Sequence, residues 1–205
     1  FMKTIKPYTF GMGDRFGHQG EAQLKAVLEA RGAGIDVYPT WNKSFREHSI
    51  VGTEPQSLRE EADAAVAALG WNDDYYIDAD HIRMETVGEF LRGSNFFTLD
   101  VADFVGDAPD GSALEDWLDS LNPYYKSLEI EGLEEPLVLS RDSAKAAGMQ
   151  FFSAIQKAGE LYRSIESSKS DSPFVTEVSI DETDQAQGPE EIFYLLSMMA
   201  RERIP

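Results

Sequence analysis

Short apolar runs alternate along this chain with stretches whose apolar residues recur every three or four positions, the pattern of successive βα units around a parallel sheet. Tyr8 to Phe10 reads as a first strand, ended by the glycine-rich Gly11-Met12-Gly13-Asp14-Arg15-Phe16-Gly17. Leu24, Val27 and Leu28 set a helix from about Gly20, and Gly32 with Gly34 stops it. Ile35 to Tyr38 reads as a second strand closed by Pro39, followed by a long loop from Thr40 to Glu54, a length that usually carries function. Pro55 opens the next helix, with Leu58, Ala62, Ala65, Val66 and Leu69 facing inward and Gly70 at its end. Tyr75 to Asp78 is a third strand, Thr86 to Leu91 a short helix, and Phe96 to Asp100 a fourth strand. An insertion over about 107–140 holds a helix near Ala113 to Leu121 and a hairpin pairing Ser127 to Ile130 with Leu137 to Leu139. A long helix from Asp142 to Ser167 precedes a fifth strand, Phe174 to Ile180, and Gly188-Pro189 opens a last helix.

A closed (β/α)8 barrel takes about 250 residues and eight strands, and this chain has 205 residues and five such units. The expected fold is therefore α/β: one domain over residues 1–205, a partial TIM-type barrel of about five parallel strands with a helical and hairpin insertion after strand four. An open half barrel exposes strand edges, which predicts a homo-oligomer or a complementing C-terminal half as partner. Lys and Arg number 18 against 37 Asp and Glu, a net charge of −19 with no basic run. Nucleic acid, which needs clustered cations, is excluded as a partner. The absence of cysteine removes disulfides, thiolate metal sites and cysteine nucleophiles. Nothing approaches the roughly 18 apolar residues of a membrane span, and the start lacks the apolar centre of a secretory signal. A cytoplasmic protein with its native start at Met2, after Phe1, is expected.

Nearly every predicted strand ends in charged residues, and in a parallel sheet those ends share one face, the face where active sites form. Asp14 and Arg15 follow strand one, Lys43 and Arg46 strand two, Asp78, Asp80 and His81 strand three, Asp100 and Asp103 strand four, and Glu177, Asp181 and Glu182 strand five. Period-two alternation puts Asp78 and Asp80 on one side of their strand. Carboxylate and imidazole together suit a divalent cation such as Zn, Mn, Co or Ni, and His81 with Glu177 are the expected ligands. Capping or backbone bonding by His81 is the competing reading. A carboxylate inside a β-branched strand, as at Glu177, needs a compensating cation or proton. The glycine-rich segment has G-x-G-x-x-x-G spacing and carries Asp14-Arg15 where backbone would have to approach a pyrophosphate, so it is no dinucleotide fingerprint. Arg15 there instead suits a substrate carboxylate. His18 and His48 read as ordinary surface residues in polar loops.

Five segments together resemble the tagaturonate epimerase family, whose members interconvert tagaturonate and fructuronate. They are Gly11-Met12-Gly13-Asp14-Arg15-Phe16-Gly17, Ser44-Phe45-Arg46-Glu47, Asp78-Ala79-Asp80-His81, Phe97-Thr98-Leu99-Asp100 and Glu177-Val178-Ser179-Ile180-Asp181-Glu182-Thr183. The resemblance implies a barrel-like, metal-dependent epimerase of a keto sugar acid. It implies a metal at His81 and Glu177, catalytic carboxylates among Asp14, Asp80, Asp100 and Asp181, and substrate contacts from Arg15, Lys43, Arg46 and Glu182. Because the inverted carbon lies β to the ketone, two routes remain, transient oxidation of that carbinol by a nicotinamide or retro-aldol cleavage and re-addition, and the lack of a dinucleotide fingerprint favours the second. A sugar-acid-binding or assembly half that is inactive alone, and a metal-dependent keto-sugar isomerase or aldolase, are the alternative readings.

Overall fold

The computed structural model describes residues 4–170, 172–180 and 186–205. Seven strands and seven α-helices follow in the order β1 (Thr9–Gly13), α1 (Gly20–Gly32), β2 (Tyr38–Ser44), α2 (Phe45–Val51), α3 (Pro55–Leu69), β3 (Tyr76–Ile82), α4 (Val87–Phe90), β4 (Phe96–Asp100), α5 (Gly111–Ser120), β5 (Ser127–Leu128), β6 (Leu137–Val138), α6 (Arg141–Lys169), β7 (Val175–Ser179) and α7 (Pro189–Arg201). Five strands form one sheet in the order β1-β2-β3-β4-β7, and β5 with β6 forms an antiparallel pair. Neighbours from β1 to β4 run parallel. Val175 N donates to Asn95 O at the start of β7, and Val101 N donates to Ser179 O at its end, so β7 runs the same way. The α/β class and the partial, barrel-like parallel sheet are as expected.

The chain divides into two compact units, residues 1–99 with 164–177, and residues 100–163 with 178–205. In the first unit Met12, Trp41 and Ile77 from the sheet form one apolar cluster with Leu24, Val27, Leu58, Ala62, Ala65 and Trp71. Each large side chain buried there contributes about 1.5–3 kcal/mol. In the second, Trp117 and Leu118 of α5 pack with Phe151, Phe152 and Ile155 of α6 and Tyr194, Leu195 and Met198 of α7. Gly148 sits inside this contact, because a Cβ there would lie 2.5 Å from Leu114 Cδ1 and 2.9 Å from Trp117 Cζ3. Overpacking of this kind costs about 1–3 kcal/mol, so Gly148→Ala is expected to lower the thermal midpoint, and an unchanged midpoint would show that α5 can move aside.

Three local expectations are corrected. The glycine-rich segment does not end β1 at Phe10: the strand continues to Gly13, held by parallel pairing from Thr9 with Tyr38 to Gly13 with Asn42. Pro39 does not close β2 but lies within it, after Tyr38 N has bonded Tyr8 O. The β3 ladder begins at Thr40, one residue later, so the N–H that proline lacks is not needed. The predicted loop over Thr40 to Glu54 is instead the rest of β2 and helix α2. Ser44 caps that helix reciprocally: its hydroxyl accepts from Glu47 N at 3.3 Å while Glu47 Oε2 accepts from Ser44 N at 3.1 Å. Gly52, at φ 69°, ends it in the left-handed conformation.

Candidate functional site

Alternate positions of the first unit's strands line an open cavity of about 240 Å³, formed by Thr9, Gly11, Thr40, Asn42, Asp78, Asp80, Phe96, Thr98 and Glu177, the last of them exposed. Asp78 is only 6% exposed and takes one hydroxyl bond, from Thr98 Oγ1, which lies 3.1 and 3.2 Å from its two oxygens. Burial, reinforced by the neighbouring Asp80 charge, pushes its carboxyl up to about 7, with Thr98 opposing. Glu177, on β7, is raised in the same direction by desolvation first and by Asp80 second, while His81 opposes. The cavity thus holds two carboxyls, Asp78 and Glu177, that are harder to ionise than usual, with Asp80 beside them.

His81 owes its position to a break in the strand. Ala79 pairs with Phe97 but Ile82 pairs with Leu99, so β3 carries one residue more than β4 over this interval. That bulge returns Ile82 to the buried apolar side, with no exposed surface, and leaves His81 at φ 50°. Without it, alternation would send the imidazole to the side of Ala79. With it, His81 Nδ1 lies 2.8 Å from Asp80 Oδ1 at the cavity rim. A left-handed histidine at a bulge is a strained arrangement of the sort found at functional sites. Strand three therefore runs through His81 rather than ending at Asp78.

The remaining sequence candidates fall elsewhere. Asp14 organises its own loop: its carboxylate accepts from Phe16 N at 3.0 Å, His18 N at 2.7 Å and Gln19 N at 2.9 Å. Burial acts to raise that carboxyl, and these backbone donors outweigh it and hold it below the usual range. Arg15 Nε lies 3.7 Å from Glu47 Oε1, which joins the first two motif segments. Lys43 is 1% exposed on the side of β2 away from the cavity-lining Asn42. Its Nζ donates to Thr53 Oγ1 at 3.2 Å, and desolvation lowers its ammonium, against Glu47 and Asp14. His48 is corrected outright: it is a buried residue of α2, 1% exposed, with Nδ1 3.0 Å from Thr53 Oγ1 and its ring against Phe90. Arg46 is exposed on α2. Asp100 ends β4 and accepts from Ala102 N at 3.4 Å. Asp181 and Glu182 lie outside the described residues. The structure thus places Asp78, Asp80 and Glu177 on one cavity with His81 against Asp80, while Lys43 and Asp14 lie outside that lining. Among the described residues no three His, Asp or Glu side chains are grouped to enclose a metal ion. No described helix is long and apolar enough to cross a membrane.

Thr40, Asn42 and Thr98 line this cavity but were not among the sequence candidates. Alternation along β2 would have shown the first two, had the strand been placed at Tyr38 to Ser44.

A family model described as tagaturonate epimerase matches residues 2–205. The chain belongs to the tagaturonate epimerase family. Two solved structures of fructuronate-tagaturonate epimerase from Cohnella laeviribosi share its fold. The one with a single glycerol is 22% identical, with a TM-score of 0.71, and the match covers 96% of this chain and 42% of that one. The one with two glycerols is 20% identical, with a TM-score of 0.74, and the match covers 99% and 44%. A probable tagatose 6-phosphate kinase from Sinorhizobium meliloti 1021 is similar at 12% identity and a TM-score of 0.51, covering 96% and 44%. The family member described here therefore spans under half the length of these relatives. No curated protein matches it.

Proposed function

We propose that this epimerase-family chain carries part of the active site for interconverting tagaturonate and fructuronate, centred on Asp78, Asp80, His81 and Glu177. The observation that supports this most is the pair of raised carboxyls, Asp78 and Glu177, sharing a cavity of about 240 Å³ with Asp80, which in turn touches His81 at a strained bulge. The donor chemistry fits a divalent cation of the Zn or Mn class, because added positive charge would offset the desolvation, and after it the Asp80 repulsion, that raise Asp78 and Glu177. His81 and Glu177 would hold it, and when bound it would supply Lewis-acid polarisation of the substrate ketone. A complete ligand set would need donors beyond the grouped residues described here.

The inverted carbinol carbon lies β to the ketone, so removal of an α proton cannot invert it. Retro-aldol cleavage can. Asp80 takes the proton of the carbinol hydroxyl, the bond between that carbon and the α carbon breaks, and its electron pair passes into the ketone as an enediolate. The released aldehyde presents its other face, the bond re-forms, and Asp80 returns the proton to the new alkoxide. Asp78 is poised near neutrality to steady the hydroxyl proton inventory beside it. Arg15 and Arg46 are the candidates for the substrate carboxylate.

The test uses tagaturonate deuterated at the inverted carbon, with Zn or Mn added, followed by NMR. Fructuronate that keeps the label, formed without a large primary isotope effect and at least 100-fold more slowly by Glu177→Gln, is expected. Loss of the label to solvent would sink the mechanism.

A further inference from the structure

The cavity has two unlike walls, and only one of them is acidic. On β1 and β2 the inward positions are Thr9, Gly11, Thr40 and Asn42, with Gly11 paired to Thr40 and Gly13 paired to Asn42 in the ladder. Thr40 is 6% exposed and its Oγ1 has no hydrogen-bond partner, and the same is true of Asn42 Oδ1. Leaving a hydroxyl and an amide oxygen buried and unpaired costs about 1–3 kcal/mol each. A sheet has apolar β-branched alternatives of the same shape that would avoid that cost.

The glycines bear on the same atoms. A Cβ built on Gly11 would lie 3.9 Å from Asn42 Oδ1, and one on Gly13 would lie 3.7 Å from it. The amide oxygen therefore leans over a strip of β1 that carries no side chain at either position. Any larger residue would occupy the space beside the orphaned Asn42 oxygen. Asn42 is in turn the ladder partner of Asp78, so the neutral wall adjoins the acidic one without a gap.

We infer that Thr40 and Asn42, above the side-chain-free strip of Gly11 and Gly13, form a neutral subsite for adjacent hydroxyl groups of a polyol chain whose reacting end lies over the carboxylates. The inference deepens the epimerase reading and rests on it for the placement of the reacting end. Hydroxyls match these partners: an O–H donates to Asn42 Oδ1, and the Thr40 hydroxyl both accepts and donates. Turning the amide over exchanges an acceptor for a donor, and a hydroxyl serves either. A carboxylate would not suit this wall, because it brings charge beside Asp78 and accepts only. The subsite thus selects the hydroxylated stretch of a ligand and leaves its charged end to another part of the protein.

The experiment titrates the chain with galactitol, a neutral hexitol that has neither ketone nor carboxylate, and reads saturation-transfer NMR together with the thermal midpoint. Saturable binding is expected, weakened roughly fivefold in Thr40→Val, while that variant melts at the same temperature or higher because it loses an unpaired buried hydroxyl. Gly11→Val should abolish binding by filling the strip. Absence of saturable binding, equal affinity in Thr40→Val, or a clearly lower melting temperature for it would each overturn the inference. The last outcome would mean that the hydroxyl serves the fold. Failure of the epimerase reading looks different: tagaturonate is not converted while galactitol still binds in the Thr40-dependent way.

Discussion

Asp78→Asn is expected to raise the stability of the chain at pH 8, with a chelator present, by about 4 kcal/mol, or about 10 °C in thermal midpoint. The carboxyl sits at about 7 in the folded chain against an ordinary 3.8. A folded value above the unfolded one means that the native state holds the proton more tightly. Stability from this group is therefore fully present below about pH 4 and is lost as pH rises through 7. Asparagine keeps the shape and the Thr98 hydrogen bond but cannot ionise, so the variant should match the parent near pH 4 and separate from it progressively above that, by about 3 kcal/mol at pH 6. Chemical denaturation at pH 4, 6 and 8 reads this directly. A variant no more stable than the parent at pH 8 would show that Asp78 is relieved by something other than protonation.

His48 pulls the other way over nearly the same range. Burial first, and Lys43 second, lower its imidazole to about 4 from 6.5, with Glu47 opposing. Here the unfolded chain binds the proton more readily, so stability is complete above about pH 6.5 and falls by about 3 kcal/mol as pH drops to 4. His48→Gln should be less stable at pH 7 by about 2 kcal/mol, because the ring packing on Phe90 and the bond to Thr53 are lost. It should also lack the acid-side decline. Urea midpoints at pH 4, 5, 6 and 7 separate the two effects, and an acid slope unchanged in the variant would move the titration to another group. In the parent chain the Asp78 and His48 slopes oppose each other, so each becomes visible only when the other is removed.

The β2 region shows why part of the site escaped the sequence. Tyr38-Pro39-Thr40-Trp41-Asn42-Lys43-Ser44 contains proline, asparagine and lysine, residues that locally argue against a strand. They form one because β1 and β3 pair with them on both sides, and because Pro39 falls just before the β3 ladder begins. The capping box at Ser44 and Glu47 was a local signal for α2 that the segment's polarity obscured. Thr40 and Asn42 thus line the cavity, and Lys43 and His48 are buried, within a segment whose local composition is that of a loop.

By itself the sequence determined what depends on neighbours a few positions apart: the alternation of strands and helices, α3 between Pro55 and Gly70, β4, the long stripe of α6, the antiparallel hairpin, and the carboxylates of β3 and β7. Those follow from periods of 2 and 3.6 and from local turn and cap chemistry. Only the tertiary structure decided which face each polar residue took. Face depends on register, and one inserted residue between Ala79 and Ile82 is enough to bring His81 to the rim beside Asp80 and return Ile82 to the core. Register is set by ladders between segments tens of residues apart, so no window of sequence contains it.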